Sequence, residues 1–302
     1  MIRNVNSRTK AFWLVSVGVG LLIGGATLLG YLLPKEPRFG GKPLSRWTAE
    51  YQKTKSFRSQ DAIRGIGTNG LPVLLEKLTN NQATVEERIA EVFNKGTPSR
   101  FGWVGVRTLE QRRALSGFAA LGTNAVDAIP ELIRMLEVEE TANPATDALV
   151  RIGQPALGPL MEIVNGTNRT ARLHALLGVL GLVTANPGLA DDEILKLFLA
   201  LVDDADSIVR SRAVQMLALF PGHSHAIVEV LIDQLVRRKG RHSEEVIVLR
   251  SFGADAEPAL PFLRELLSPD ATVQRMPSDV ADAIKEIEKA VEQKRSLNNS
   301  HL

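Results

Sequence analysis

The residues most able to do chemistry in this chain are three clustered acids, three histidines and a glycine triplet. Asp203, Asp204 and Asp206 stand close enough to suggest a calcium loop, which lines a cation with carboxylates at alternate positions. A calcium loop then needs another oxygen ligand and a glycine, but Ile208 and Val209 stand there. The spacing instead predicts that Asp206 caps the next helix and that Arg210 pairs with an acid on a neighbouring repeat. His223 and His225, with His242 further on, have imidazoles that suit zinc, yet no nearby Asp or Cys completes a ligand set. No metal is expected. Gly65, Gly67 and Gly70 spell G-x-G-x-x-G, which cradles pyrophosphate only between a strand and a helix. A helical stretch precedes it here, so no cofactor is expected either.

Two clusters are better suited to binding than to catalysis. Phe101 and Trp103 lie in a glycine-rich loop between Arg100 and Arg107, and aromatic rings with arginine on a loop are common interface anchors. The alternative for the two rings is to fold back over an exposed repeat edge. Arg237, Arg238, Lys239 and Arg241 form the densest basic run, which can meet anionic lipid or an acidic partner. Its plainer role is to end a helix, where cations complement the dipole. Without an elbow, Walker or H-E-x-x-H motif, the chain is not expected to be an enzyme.

These residues must be positioned by helices. Gly67, Gly122, Gly153, Gly181 and Gly253, with Pro221 in the same role, each follow a short helical stretch. The preceding residue is always apolar, as is the residue four before the turn, from Ile63 and Ile66 to Leu249 and Phe252. That separation stacks side chains on one face, and glycine then ends the helix by taking a left-handed conformation. A second helix follows, often opened by proline at Pro72, Pro130, Pro159 or Pro261. The turns stand 55, 31, 28, 40 and 32 residues apart, a period that predicts an all-α, right-handed α-solenoid of helix pairs. The long first interval marks an insert at about 80–106, containing an extra helix and the loop 94–106.

LVDDADSIVRSRAVQML (201–217) and ALSGFAALGTNAVDAIPELIRML (114–136) resemble the HEAT repeat, and the short period is similar to the HEAT-like subgroup first associated with phycobilisome lyases. The resemblance covers roughly 57–293 and concerns fold. It implies a protein-binding scaffold, with a lyase- or chaperone-like protein acting on a protein substrate as the alternative. The concave face, lined by the second helices and helped by the 94–106 loop, is the expected docking surface.

Before the solenoid, residues 11–33 form 23 positions without a charged side chain. At about 1.5 Å per residue this run is long enough to cross a hydrocarbon core of about 30 Å. Gly24 and Ala26 fit a signal-peptide cleavage site, but apolar sequence continues to Leu33, so an uncleaved single-pass transmembrane helix is expected. Gly20 and Gly24, four apart, permit close approach of two such helices in a homodimer. Basic residues flank the run on both sides, and its position near the start favours an exported domain.

The remaining divisions are a basic tail (1–10), a linker (34–43), the solenoid (44–293) and a disordered tail (294–302). The 302 residues include no cysteine, which excludes disulfides and thiolate chemistry. The net charge of +2 divides into +3 for residues 1–10 and −1 for 34–302, so no nucleic-acid partner is expected.

Overall fold

The computed structural model describes residues 36–80, 108–237, 243–267 and 277–300. The expected anchor at 11–33, including Gly20 and Gly24, and most of the insert lie outside them. Among the described residues no helix is long and apolar enough to cross a membrane.

A small antiparallel hairpin, β1 (Arg38–Phe39) and β2 (Lys42–Pro43), turns through Gly40 and Gly41. Helix α1 (Leu44–Thr54) follows directly, then six helix pairs among the described residues. The pairs are α2 (Phe57–Ile66) with α3 (Leu71–Thr79), α4 (Leu109–Leu121) with α5 (Ile129–Met135), and α6 (Glu139–Ile152) with α7 (Leu157–Val164). They continue as α8 (Arg169–Ala185) with α9 (Asp192–Leu201), α10 (Ser207–Leu217) with α11 (Ser224–Arg237), and α12 (Ser243–Ser251) with α13 (Leu260–Leu266). Helix α14 (Pro277–Ser300) closes the far end. The result is an all-α stack, and one connected apolar core runs through it from Leu44 to Val291.

The first helices of successive pairs pack on one another along the stack, and each second helix packs against the first helix of the following pair, or against α14 at the far end. The middle first helices are therefore the most deeply covered. Small residues let them approach: Ala142, Ala145 and Ala148 of α6 and Ala171 and Ala175 of α8 are all buried. Proline sits in the first turn of α3, α5 and α13, as the sequence indicates, where its missing N–H leaves no bond unmade.

The turn glycines behave differently from the left-handed cap read from the sequence. Gly67 and Gly122 have φ of 60° and 56° but ψ of −144° and −131°. That corner of backbone space is essentially closed to any residue with a Cβ, so asparagine could not replace them.

Gly181 is a correction. It lies inside α8, which continues to Ala185, and a Cβ there would come within 2.7 Å of Val150 on α6. It is a close-packing glycine between repeats. The turn of this pair is Pro187–Leu189, and the turn of the next is Pro221–His223, both opening with Pro-Gly. With Pro187 in place of Gly181, the turn starts at 122, 153, 187, 221 and 253 stand 31, 34, 34 and 32 residues apart. The repeat is more regular than the glycines alone suggest.

The far end is a second correction. Helix α14 runs on to Ser300, so 294–300 is helical instead of a disordered tail. Lys294 reaches Asp255 at 2.9 Å and Arg295 reaches Glu257 at 2.6 Å, which fixes the extra turns against the last repeat.

Candidate functional site

Arg100, Phe101, Trp103 and Arg107 lie outside the described residues, as do Arg238, Lys239 and Arg241. Arg237 is the last residue of α11, and its guanidinium is engaged. It pairs with Asp233 one turn earlier and reaches Asp203 of the preceding repeat at 3.4 Å. The hydrogen bond to Asp233, with help from Asp203, raises its proton affinity above the ordinary arginine value. Arg237 therefore links two repeats.

The three acids share this role. Asp204 pairs with Arg172 on the first helix of the preceding repeat, and Asp206 pairs with Arg169 on the same helix. Asp206 also caps α10 by accepting from the Ile208 N–H at 2.8 Å, as its position predicts. On the other side, Asp203 accepts from Gln234 Nε2 at 3.2 Å and meets Arg237. One short loop thus binds the repeat before it and the helix after it. Arg210 departs from the expectation: it donates to the Asp204 and Ala205 carbonyls, at 2.6 and 2.9 Å, inside its own loop.

The electrostatics follow from the contacts. Burial pushes the Asp204 carboxyl up, but the Arg172 guanidinium and the Asp206 N–H together hold it below the usual carboxylate range. Asp206 is held low chiefly by the Ile208 N–H and then by Arg169. Arg169 and Arg172 carry no local signal for this role, although they stand about one repeat before the acids they meet.

A second constellation gathers where the insert leaves and rejoins the stack. Thr108 donates to the Asn80 carbonyl at 3.0 Å and caps α4 in a reciprocal capping box with Gln111. Gln111 in turn donates to the Leu78 carbonyl at 3.0 Å. Beside them Glu110 pairs with Lys77 and with Arg113. Burial raises the Glu110 carboxyl, and these two cations outweigh it and hold the group low. A cleft of about 480 Å³ opens here, lined by Glu36, Val73, Glu76, Lys77, Thr79, Asn80 and Glu110.

The histidines do not converge. His223 Nε2 lies 3.2 Å from Asp192, whereas His225 Nδ1 turns to Glu229 at 3.5 Å. His242 lies outside the described residues. No group of three or more His, Cys, Asp and Glu able to hold a metal occurs among the described residues. The glycine triplet also resolves into packing: Phe39 lies against Gly65, Gly67 forms the repeat turn, and Gly70 meets Leu44.

The third cluster surrounds Trp47 at the beginning of the stack. The indole is 3% exposed and donates Nε1–H to the Phe39 carbonyl at 3.0 Å. Lys42 Nζ sits 4.5 Å from the ring centroid and the Arg58 guanidinium carbon 6.0 Å from it. From the sequence alone this region shows only a linker and a cap.

No family model and no curated protein matches the chain. Among solved structures it is similar to YibA of Escherichia coli, at 14% identity over 83% of each chain and a TM-score of 0.38.

Proposed function

We propose that this chain is a membrane-anchored scaffold whose HEAT-like solenoid holds a partner protein near a bilayer. The observation that carries the reading is the continuity of the stack. A single core from Leu44 to Val291, reinforced by the ion pairs between repeats, makes a rigid body with long side-by-side helix faces. Such a body gains from its length as a docking surface and has no need of an enclosed pocket. The second helices offer outward side chains such as Glu162, Lys196, Glu229 and Arg264, a mixed polar face suited to a reversible interface. Arg100, Phe101, Trp103 and Arg107 would add anchors from the insert, whose ends are fastened beside the cleft at Asn80 and Thr108.

The anchor reading rests on the uncharged residues 11–33, and export of the solenoid across that membrane is proposed with it. Pairing of two anchors through Gly20 and Gly24 belongs to the same proposal. Proximity labelling from the full-length chain tests the scaffold. A reproducible protein neighbour, lost on substituting Trp103 or the second-helix cations, supports it. Labelling with no reproducible neighbour overturns it.

A further inference from the structure

The sequence from 34 to 302 is nearly neutral, but its charge is not evenly spread. Residues 34–58 hold seven basic side chains and two acids, a net of +5, whereas 59–302 hold 26 basic and 32 acidic, a net of −6. The structure gathers the positive end around Trp47. Lys42 and Arg58 approach the same indole ring, and the hairpin residue Phe39 accepts its hydrogen bond. On α1, Arg46, Glu50 and Lys53 share one helix face by their spacing, and Lys42 reaches Glu50 at 3.4 Å, so that face adjoins the same spot. The other acid, Glu36, accepts from both the N–H and the hydroxyl of Ser45 and points into the chain's own backbone.

Two rings stand out in this positive surface. Phe39 is 45% exposed and Phe57 is 83% exposed, each next to an arginine in sequence, Arg38 and Arg58. An aromatic ring left in water beside several cations is costly in bulk solvent and well suited to a headgroup layer, where apolar and charged groups are both accommodated.

Chain geometry decides which surface lies within reach. Arg38 in the hairpin is five steps along the chain from Leu33, the end of the uncharged run. Fully extended, five residues span at most about 18 Å. The polar layer of a bilayer is itself roughly 5–8 Å deep on each side. The hairpin is thus tethered close to the lipid surface whatever partner the solenoid meets further away.

We infer that the hairpin, α1 and the start of α2 lie on an anionic bilayer surface, the one residues 11–33 enter, with Phe39 and Phe57 in the headgroups and Lys42, Arg46, Lys53, Lys55 and Arg58 facing lipid phosphates. This contact orients the stack, since the acidic remainder is repelled by the same surface. It rests on the membrane-anchor reading above, and the test separates the two.

The full-length chain is reconstituted into vesicles of phosphatidylcholine alone or with about 30% phosphatidylglycerol, an anionic composition of the kind that attracts juxtamembrane cations. Carbonate-resistant flotation reads the anchor, and amide hydrogen exchange reads the surface. Exchange over 38–58 should slow several-fold in the anionic vesicles only, with 277–300 unchanged. The slowing should disappear in the Lys42→Glu/Arg58→Glu variant and in the Lys53→Glu/Lys55→Glu variant, whose cations do not touch Trp47 and whose melting should fall only slightly, through loss of the Lys55 contact with the Tyr51 ring. Retention in both vesicles with equal exchange over 38–58 keeps the anchor and overturns the surface contact. Loss from neutral vesicles in carbonate, with protection still seen on anionic ones, overturns the anchor and keeps the contact. Equal protection in detergent and in both vesicles would mean that the chain itself covers this face, and would overturn the contact.

Discussion

The hydroxyl of Thr108 donates to the carbonyl of Asn80 at 3.0 Å across 28 positions of chain. The insert therefore begins and ends at one point, and the stack closes beneath it. Directly below, Gly117 of α4 lets Leu74 of α3 and Thr48 of α1 come in so tightly that a Cβ would stand 2.6 Å from Leu74 and 3.2 Å from Thr48. A long insertion is tolerated because closing a loop costs entropy only logarithmically in its length. What must be preserved is the clasp, and it is made of two backbone carbonyls, one hydroxyl and one amide side chain.

Replacing Thr108 by Ala removes the donor to Asn80 and the acceptor for the Gln111 N–H, which it meets at 3.2 Å. The expected loss is about 1–2 kcal/mol, the range of a helix N-cap with one further hydrogen bond. Thr108→Ser should keep most of it. Urea midpoints followed by circular dichroism measure both variants, and equal midpoints for the two would show that the hydroxyl contributes nothing.

Two glycines read alike in the sequence and should fail differently. Gly181→Val places a side chain where Val150 already stands 2.7 Å from an added Cβ, so overpacking should cost about 1–3 kcal/mol and Val150→Ala should recover part of it. Gly153 has no atom within 4 Å of an added Cβ, but its φ of 94° excludes alanine. Gly153→Ala should also cost about 1–3 kcal/mol, and no neighbouring truncation should rescue it. Double-mutant cycles on thermal unfolding distinguish the two. Rescue of Gly153→Ala by Val150→Ala would contradict this assignment.

That pair shows how far the sequence carries. The helix pairs, the proline-opened second helices and the cap at Asp206 depend on residues close together in the chain, so their signals are local. Gly181 is different because its reason for being glycine is Val150, on a neighbouring helix, and nothing near it in sequence says so. The same holds for Arg169 and Arg172. Their partners are 37 and 32 residues away, a distance meaningful only once the repeat length is known and the turn is moved to Pro187. The tail failed for a related reason. RSLNNS has weak helix propensity, and the ion pairs of Lys294 and Arg295 to Asp255 and Glu257 extend α14 past it. Of the binding residues, only Arg237 can be placed, and its acids are shared with the repeat junction.

Because Asp204 is held below the usual carboxylate range, the folded chain binds its proton more weakly than the unfolded chain does. Its contribution is thus fully present above the unfolded value of about 4 and is lost as pH falls through the lowered folded value. Asp204→Asn should cost about 1–3 kcal/mol at neutral pH, since it removes a charged hydrogen bond to Arg172. The gap between variant and parent should stay constant above about pH 5 and close in stronger acid. Denaturant midpoints across the acid range measure it, and a gap independent of pH would show that the ionised carboxylate is not what Arg172 binds.

His174 gives the opposite sign. Its ring sits in α8 at 7% exposure and its Nδ1 has no hydrogen-bond partner. Burial depresses its proton affinity, and the nearby Glu139 opposes this only in part. Above about pH 6.5 the ring is neutral in both states, so pH changes nothing. As pH falls below that value the unfolded chain takes up the proton first, and the fold loses stability down to the depressed folded value. His174→Leu keeps an apolar side chain in a buried place and has no proton to bind. It should remove the destabilisation that sets in below about pH 6.5 while leaving the carboxylate-driven loss in stronger acid intact. Denaturant midpoints of parent and His174→Leu, taken across that window, measure the difference. Parallel pH profiles would place the proton on another group and overturn the assignment.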